Sequence, residues 1–197
     1  MTNPTRRTAL KTLGMTIGAT WSSISLPVSA RYFANGESKQ PIRLGVIADL
    51  HGGLAVDAEM RLDAFLKAMQ GIETDALVQL GDFAYPNQKH QSFADKFNSA
   101  HENTIHVIGN HEFDFKLSRE DCYEAWDIKS AYYRRDLGNL RIIVLDGNEI
   151  GSPTQKGYPS FIGKEQKVWL QEELKGADRP VLILSHQSLA GTGAIQN

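Results

Sequence analysis

Four short apolar runs in this chain break off into the same kind of residue. Leu44 to Ala48 ends in Asp49-Leu50-His51, Ala76 to Leu80 in Gly81-Asp82, Ile105 to Ile108 in Gly109-Asn110-His111-Glu112, and Val181 to Leu184 in Ser185-His186. Runs of this length without polar alternation read as strands covered on both faces. Their carboxyl ends therefore collect aspartate, histidine and asparagine at the rim where parallel α/β sheets bind ligands.

The segments between the runs support that reading. Asp57 is a plausible N-cap for a helix to about Gln70, where Met60, Leu62, Phe65, Leu66 and Met69 approximate the helical period and Gly71 supplies a stop. Strand, helix and strand then form a parallel βαβ unit, and a helix at about Gln91 to Ala100 repeats it. Ser118 is a possible cap for a short helix to Trp126. The rhythm then changes, since Ala131 to Arg135 and Leu140 to Leu145, separated by Asp136 and Gly138-Asn139, read as a hairpin. The loop Gly147 to Pro159 is long enough to face a substrate, and Gly163 to Leu174 reads as a further amphipathic helix.

At 197 residues the chain has room for one domain with a substantial core. Its net charge of −2 argues against a protein that binds nucleic acid through a basic surface, so no stable nucleic-acid partner is expected. Cys122 is the single cysteine, which excludes an internal disulfide and reads as a small core residue. Compartment has to come from the N-terminus. There Arg6-Arg7-Thr8-Ala9-Leu10-Lys11 precedes a mildly apolar stretch, Leu13 to Leu26, and then Val28-Ser29-Ala30, a small-x-small cleavage pattern. Basic, weakly apolar and small, in that order, is an export signal, and the paired arginines resemble a twin-arginine one. Five serines and threonines make the stretch a poor membrane span, so no span is expected after signal removal. The expected layout is a signal over 1–30, a linker over 31–40 and a catalytic domain over 41–197, in a periplasmic or secreted protein.

The rim residues suit a pair of divalent ions roughly 3.5 to 4 Å apart, which can hold a bridging hydroxide in line with a phosphorus atom and neutralise phosphoryl charge. Asp82 suits the bridging carboxylate. Asp49 and His51, two apart, would point to one side in extended backbone and share an ion, while Asn110 and His186 would take the other. Oxygen and imidazole donors without thiolate fit Mn, Fe or Zn. His111, pointing elsewhere along an extended chain, is free to protonate the leaving oxygen. Glu112 could orient a catalytic group or cap the following turn. His90, His101 and His106 read as ordinary surface or interior histidines. Ser185 beside His186, with Asp146, lacks the Gly-x-Ser-x-Gly elbow of a serine hydrolase.

In order, Asp49-x-His51, Gly81-Asp82, Gly109-Asn110-His111-Glu112 and His186 resemble the calcineurin-like metallophosphoesterase superfamily over about residues 42 to 190. The resemblance implies a four-layer α-β-β-α sandwich, with Asp49, His51, Asp82, Asn110 and His186 as metal ligands and His111 as catalytic acid. It further implies a metal-dependent hydrolase of small phosphate esters, with phosphomonoesterase, phosphodiesterase and nucleotide pyrophosphatase all left open. The family's final Gly-His-x-His, one ligand to each ion, is absent. The expectation is therefore of a domain incomplete at its C-terminus that holds metal weakly, and a catalytically inactive fragment acting as a binding module is the alternative. Gly81-Asp82-Phe83-Ala84-Tyr85 also resembles the Gly-Asp-x-x-Tyr block of purple acid phosphatases, whose tyrosine binds iron. His51 stands where those enzymes carry glycine, so Tyr85 is expected to be a packing aromatic near the site.

Overall fold

In the computed structural model, residues 41–153 and 156–189 are described. The signal expected over 1–30 and the linker over 31–40 lie outside them. Three strands, β1 (Leu44–Ile47), β2 (Ala76–Gln79) and β3 (Thr104–His106), pair in parallel in that order. The crossovers are α1 (Ala58–Gln70) and α2 (Gln91–Ser99), as the alternating apolar runs and helical periods require. A second sheet joins β4 (Tyr133–Leu137) antiparallel to β5 (Leu140–Val144) through the two-residue turn Gly138-Asn139, and β5 pairs in parallel with β6 (Val181–Leu184). Two more helices complete the described chain, α3 (Arg119–Trp126) ahead of β4 and α4 (Lys164–Lys175) ahead of β6.

Side-chain alternation along the strands produces the layers, because successive residues of a strand point to opposite faces. Ala76 and Val78 of β2 meet Ile142 and Val144 of β5 in a core between the two sheets. Leu77, between them in sequence, faces the other way into a core with Leu62, Phe97, Cys122 and Trp126 of the helices. Ile143 likewise turns outward to Leu170 of α4. The result is helices, sheet, sheet, helix. That is the four-layer sandwich expected above.

Local chemistry sets the boundaries. Ser118 and Asp121 form a reciprocal capping box that starts α3. Asp57, the expected cap of α1, makes no side-chain cap bond and instead lies 3.1 Å from Arg61 as an ion pair. β1 is not covered on both faces as its composition suggested. Every residue of β2 is buried, whereas Val46 of β1, an edge strand among the described residues, is 48 % exposed. At the other edge the Tyr133 hydroxyl accepts from the His106 amide at 3.0 Å and donates to its carbonyl at 2.9 Å, which occupies the unpaired side of β3. Among the described residues no helix is long and apolar enough to cross a membrane.

Candidate metal centre

The parallel strands place their carboxyl ends at one rim, and backbone pairing continues past the strands. Asp49 donates its amide to the Gly81 carbonyl at 3.1 Å, and His51 to the Asp82 carbonyl at 2.8 Å. Asp49, His51 and Asp82 all adopt left-handed backbone, with φ of 53°, 57° and 50°. Such a conformation is uncommon outside glycine, costs about 1–3 kcal/mol at each residue and persists where surrounding bonds over-determine it. The expectation of extended backbone from Asp49 to His51 is thus corrected. The chain curls at both residues, and Arg61 of α1 holds the curl by donating to the carbonyls of Asp49 and Leu50.

The Asp82 carboxylate lies at the centre. His186 Nε2 stands 3.4 Å and His51 Nε2 4.0 Å from its Oδ2, while the His111 amide donates to Oδ1 at 3.0 Å. Donor atoms of His51, Asp82 and His111 lie within 4.8 Å of one another, and so do those of Asp49, Asp82 and His186. Asp82 belongs to both groups. Glycine permits the close approach, since a Cβ on Gly81, itself at φ 93°, would stand 2.6 Å from the His186 ring.

Electrostatics follow from this crowding. Burial acts to raise the Asp82 carboxyl, but the His186 hydrogen bond, the His111 amide and the charges of both rings hold it below the usual carboxylate range. Burial acts to lower His186, yet the bond and charge of Asp82 push it up to about 9. The His186 Nδ1 lies 2.8 Å from the Leu80 carbonyl, which fixes the ring with Nε2 toward Asp82.

Glu112 has a role that neither sequence reading foresaw. Its carboxylate accepts from the backbone amides of Asp82 at 3.0 Å, Phe83 at 2.7 Å and Gly109 at 2.7 Å, tying together the loops that follow β2 and β3. Burial and the Asp82 charge push its pKa up to about 7 against the lowering effect of those amides. His111, expected in an extended chain, begins a 3-10 turn, and its Nδ1 lies 2.8 Å from Asp114 Oδ2. That bond raises the His111 pKa and outweighs its partial burial. Asp114 escaped the sequence reading, although its spacing of three from His111 would have placed it on the same side of a helical turn. Gln187 was likewise missed, and its amide donates to Asn110 Oδ1 at 2.9 Å.

Other candidates fall away from the rim. His106 is buried among Gln79, Asn98, Phe97 and Trp126. His101 ties Asn103 and the Thr74 carbonyl together. Asp146 is engaged by Arg119 at 2.6 Å and by Asn148, and the Ser185 hydroxyl donates to the Gln187 carbonyl, so no serine triad forms. Tyr85 is buried in the wall of a small cleft with His51, Leu54, Asp82 and His111, its hydroxyl 3.5 Å from Asp114.

Residues 42–196 match the model of the calcineurin-like phosphoesterase family. The chain belongs to that family. Among solved structures, this family member is similar to a dimetal phosphatase from Danio rerio, with 16 % identity, 76 % of this chain and 70 % of that one covered, and a TM-score of 0.59. A protein of unknown function from Aquifex aeolicus matches at 14 % identity over 68 % of this chain and 74 % of the other, with a TM-score of 0.36. A search of curated proteins finds no significant match. As a calcineurin-like phosphoesterase the chain is a metal-dependent enzyme of phosphorylated small molecules.

The residues present fit divalent metal. Two carboxylates and three imidazoles converge, and the buried His51 Nδ1 has no hydrogen-bond partner among the described residues. Sulfur takes no part, because Cys122 is buried in the helical core. This donor set suits divalent cations.

Proposed function

We propose that this protein hydrolyses small phosphate esters with two metal ions at the rim and His111 as general acid. The observation that supports the reading is that the Asp82 carboxylate groups with Asp49 and His186 and also with His51, beside which His111 stands as the proposed acid, so that one carboxylate would serve both ions. Asp49, His51, Asp82, Asn110 and His186 are the residues that would hold the ions. Divalent ions held by these residues would supply a hydroxide nucleophile at neutral pH and would offset charge on the phosphoryl oxygens.

The chain's own residues do the rest. Glu112 holds the Asp82 and Gly109 loops in register, and Gln187 orients the Asn110 amide. Asp114 fixes the His111 ring through Nδ1 and leaves Nε2 to deliver a proton to the leaving oxygen. The decisive experiment compares Mn-dependent hydrolysis of p-nitrophenyl phosphate and its bis-ester by the intact protein, His111→Ala and Asp82→Asn. Wild-type turnover in both variants would overturn the mechanism. The ratio of the two activities in the intact protein assigns monoesterase or diesterase.

We further infer export by the twin-arginine route, supported by Arg6-Arg7 ahead of the mildly apolar stretch and Val28-Ser29-Ala30. Replacing both arginines by lysine should strand the precursor in the cytoplasm of an expressing bacterium, and unchanged fractionation would count against it.

A further inference from the structure

One side chain at the rim is left without a task by metal binding and proton delivery. Phe115 is 81 % exposed, and its backbone is left-handed at φ 57°, followed by Lys116 at φ 66°. For an aromatic residue this is a conformational outlier, and the exposed ring forgoes the burial that normally stabilises it. The short helical turn breaks at Asp114, the residue bonded to His111, and delivers Phe115 outward directly after it. Strain of this kind gathers at functional sites.

The neighbours give the ring a direction. Phe115 stands against Tyr85, ring centroids 5.3 Å apart at 81°, an edge-to-face pair. Tyr85 in turn lines the cleft that holds His51, Asp82 and His111. The apolar part of that cleft is formed by Tyr85, Ala84 and Leu54, and Leu54 is itself 55 % exposed. Phe115 continues this wall outward from Tyr85, directly after the Asp114 that bonds His111, with most of its ring open to a ligand.

The geometry points to Phe115, backed by Tyr85, as the platform on which the planar aromatic portion of the leaving group stacks. The substrate class is a phosphate ester of an aryl or nucleobase-bearing alcohol. This inference rests on the phosphoesterase reading above. Stacking of a flat ring on an aromatic side chain is tolerant of its identity, so either kind of ring is accepted.

The test is a ratio of affinities in the Mn-loaded full chain, measured by calorimetry and by inhibition. Phenylphosphonate should bind about 10-fold more tightly than methylphosphonate, equal to about 1.4 kcal/mol of stacking. In a second arm, the adenosine 5′-methylenephosphonate, whose base lies a sugar's length from phosphorus, separates a nucleoside ester from an aryl ester. Phe115→Trp should keep the preference for the better of the two rings. Phe115→Gly should bring it below about 2-fold without lowering the thermal midpoint, because glycine adopts positive φ freely. A preference that survives Phe115→Gly overturns the inference, as does a fall in the midpoint with the ratio intact, which would make Phe115 a packing residue. If methylphosphonate binds and neither ring improves on it, this inference alone fails. If no phosphonate binds the Mn-loaded protein, the phosphoesterase reading fails with it.

Discussion

His111 and Asp114 form a hydrogen-bonded pair, Nδ1 to Oδ2 at 2.8 Å, inside a single turn of chain. The carboxylate holds Nδ1 and raises the ring's pKa, which favours the cationic form, the one in which Nε2 also carries a proton. His111→Ala should lower kcat by about 10²- to 10⁴-fold, the usual contribution of a general acid. Asp114→Asn should lower it by about 10-fold or more on phenyl phosphate and by less on p-nitrophenyl phosphate, whose leaving group needs little protonation. Steady-state kinetics on the two esters decides the matter, and equal losses would remove His111 from the proton-transfer step.

Metal content should depend unequally on the donors. Asp82 belongs to both donor groups and His186 to one, with Asp49. Elemental analysis after reconstitution in excess Mn should find at most two ions per wild-type chain, fewer in His186→Gln and fewest in Asp82→Asn. Retention of both ions by Asp82→Asn would contradict a shared carboxylate.

Acid stability should report on His106. Burial lowers its pKa to about 3, whereas the unfolded chain keeps the ordinary value of 6.5. Between those values the unfolded state binds the extra proton, so the stability contributed by neutral His106 is complete above pH 6.5 and is lost as pH falls toward 3. The slope is about 1.4 kcal/mol per pH unit. Chemical denaturation of wild type and His106→Gln between pH 7 and pH 4 should show a shallower decline in the variant, and parallel declines would refute the assignment.

The pair of Arg119 and Asp146 should be asymmetric. Asp146 is buried with a side chain 4 % exposed, while Arg119, 2.6 Å away, is 34 % exposed. Arg119→Met leaves a buried carboxylate facing no cation and should cost about 3–5 kcal/mol. Asp146→Asn keeps an amide oxygen facing Arg119, whose side chain is 34 % exposed, and should cost less, which denaturant midpoints of the two variants will show.

Much of the rim could be read from local chain order. A run such as Ala76 to Leu80 reads as a strand because its side chains must leave water, and Gly81-Asp82 at its end reads as a site because parallel strands present that end to ligands. Ser118 was a readable cap for the same reason, and its bonds to Asp121 close within three residues. Glu112 shows where such reading stops. Its partners include Asp82 and Phe83, thirty and twenty-nine positions away, and nothing near residue 112 announces them.

The amino-acid order alone determined which residues form strands and helices, which polar groups end the strands, and therefore the family and its metal chemistry. Those properties follow from periodicity and from short contacts along the chain. Tertiary structure alone decided that Asp49, His51 and Asp82 curl into left-handed backbone, that Glu112 ties two loops by their amides, and that Phe115 is held out beside Tyr85. Each of these is a compromise between local strain or desolvation and bonds offered by distant segments, and such bonds exist only once the layers have packed.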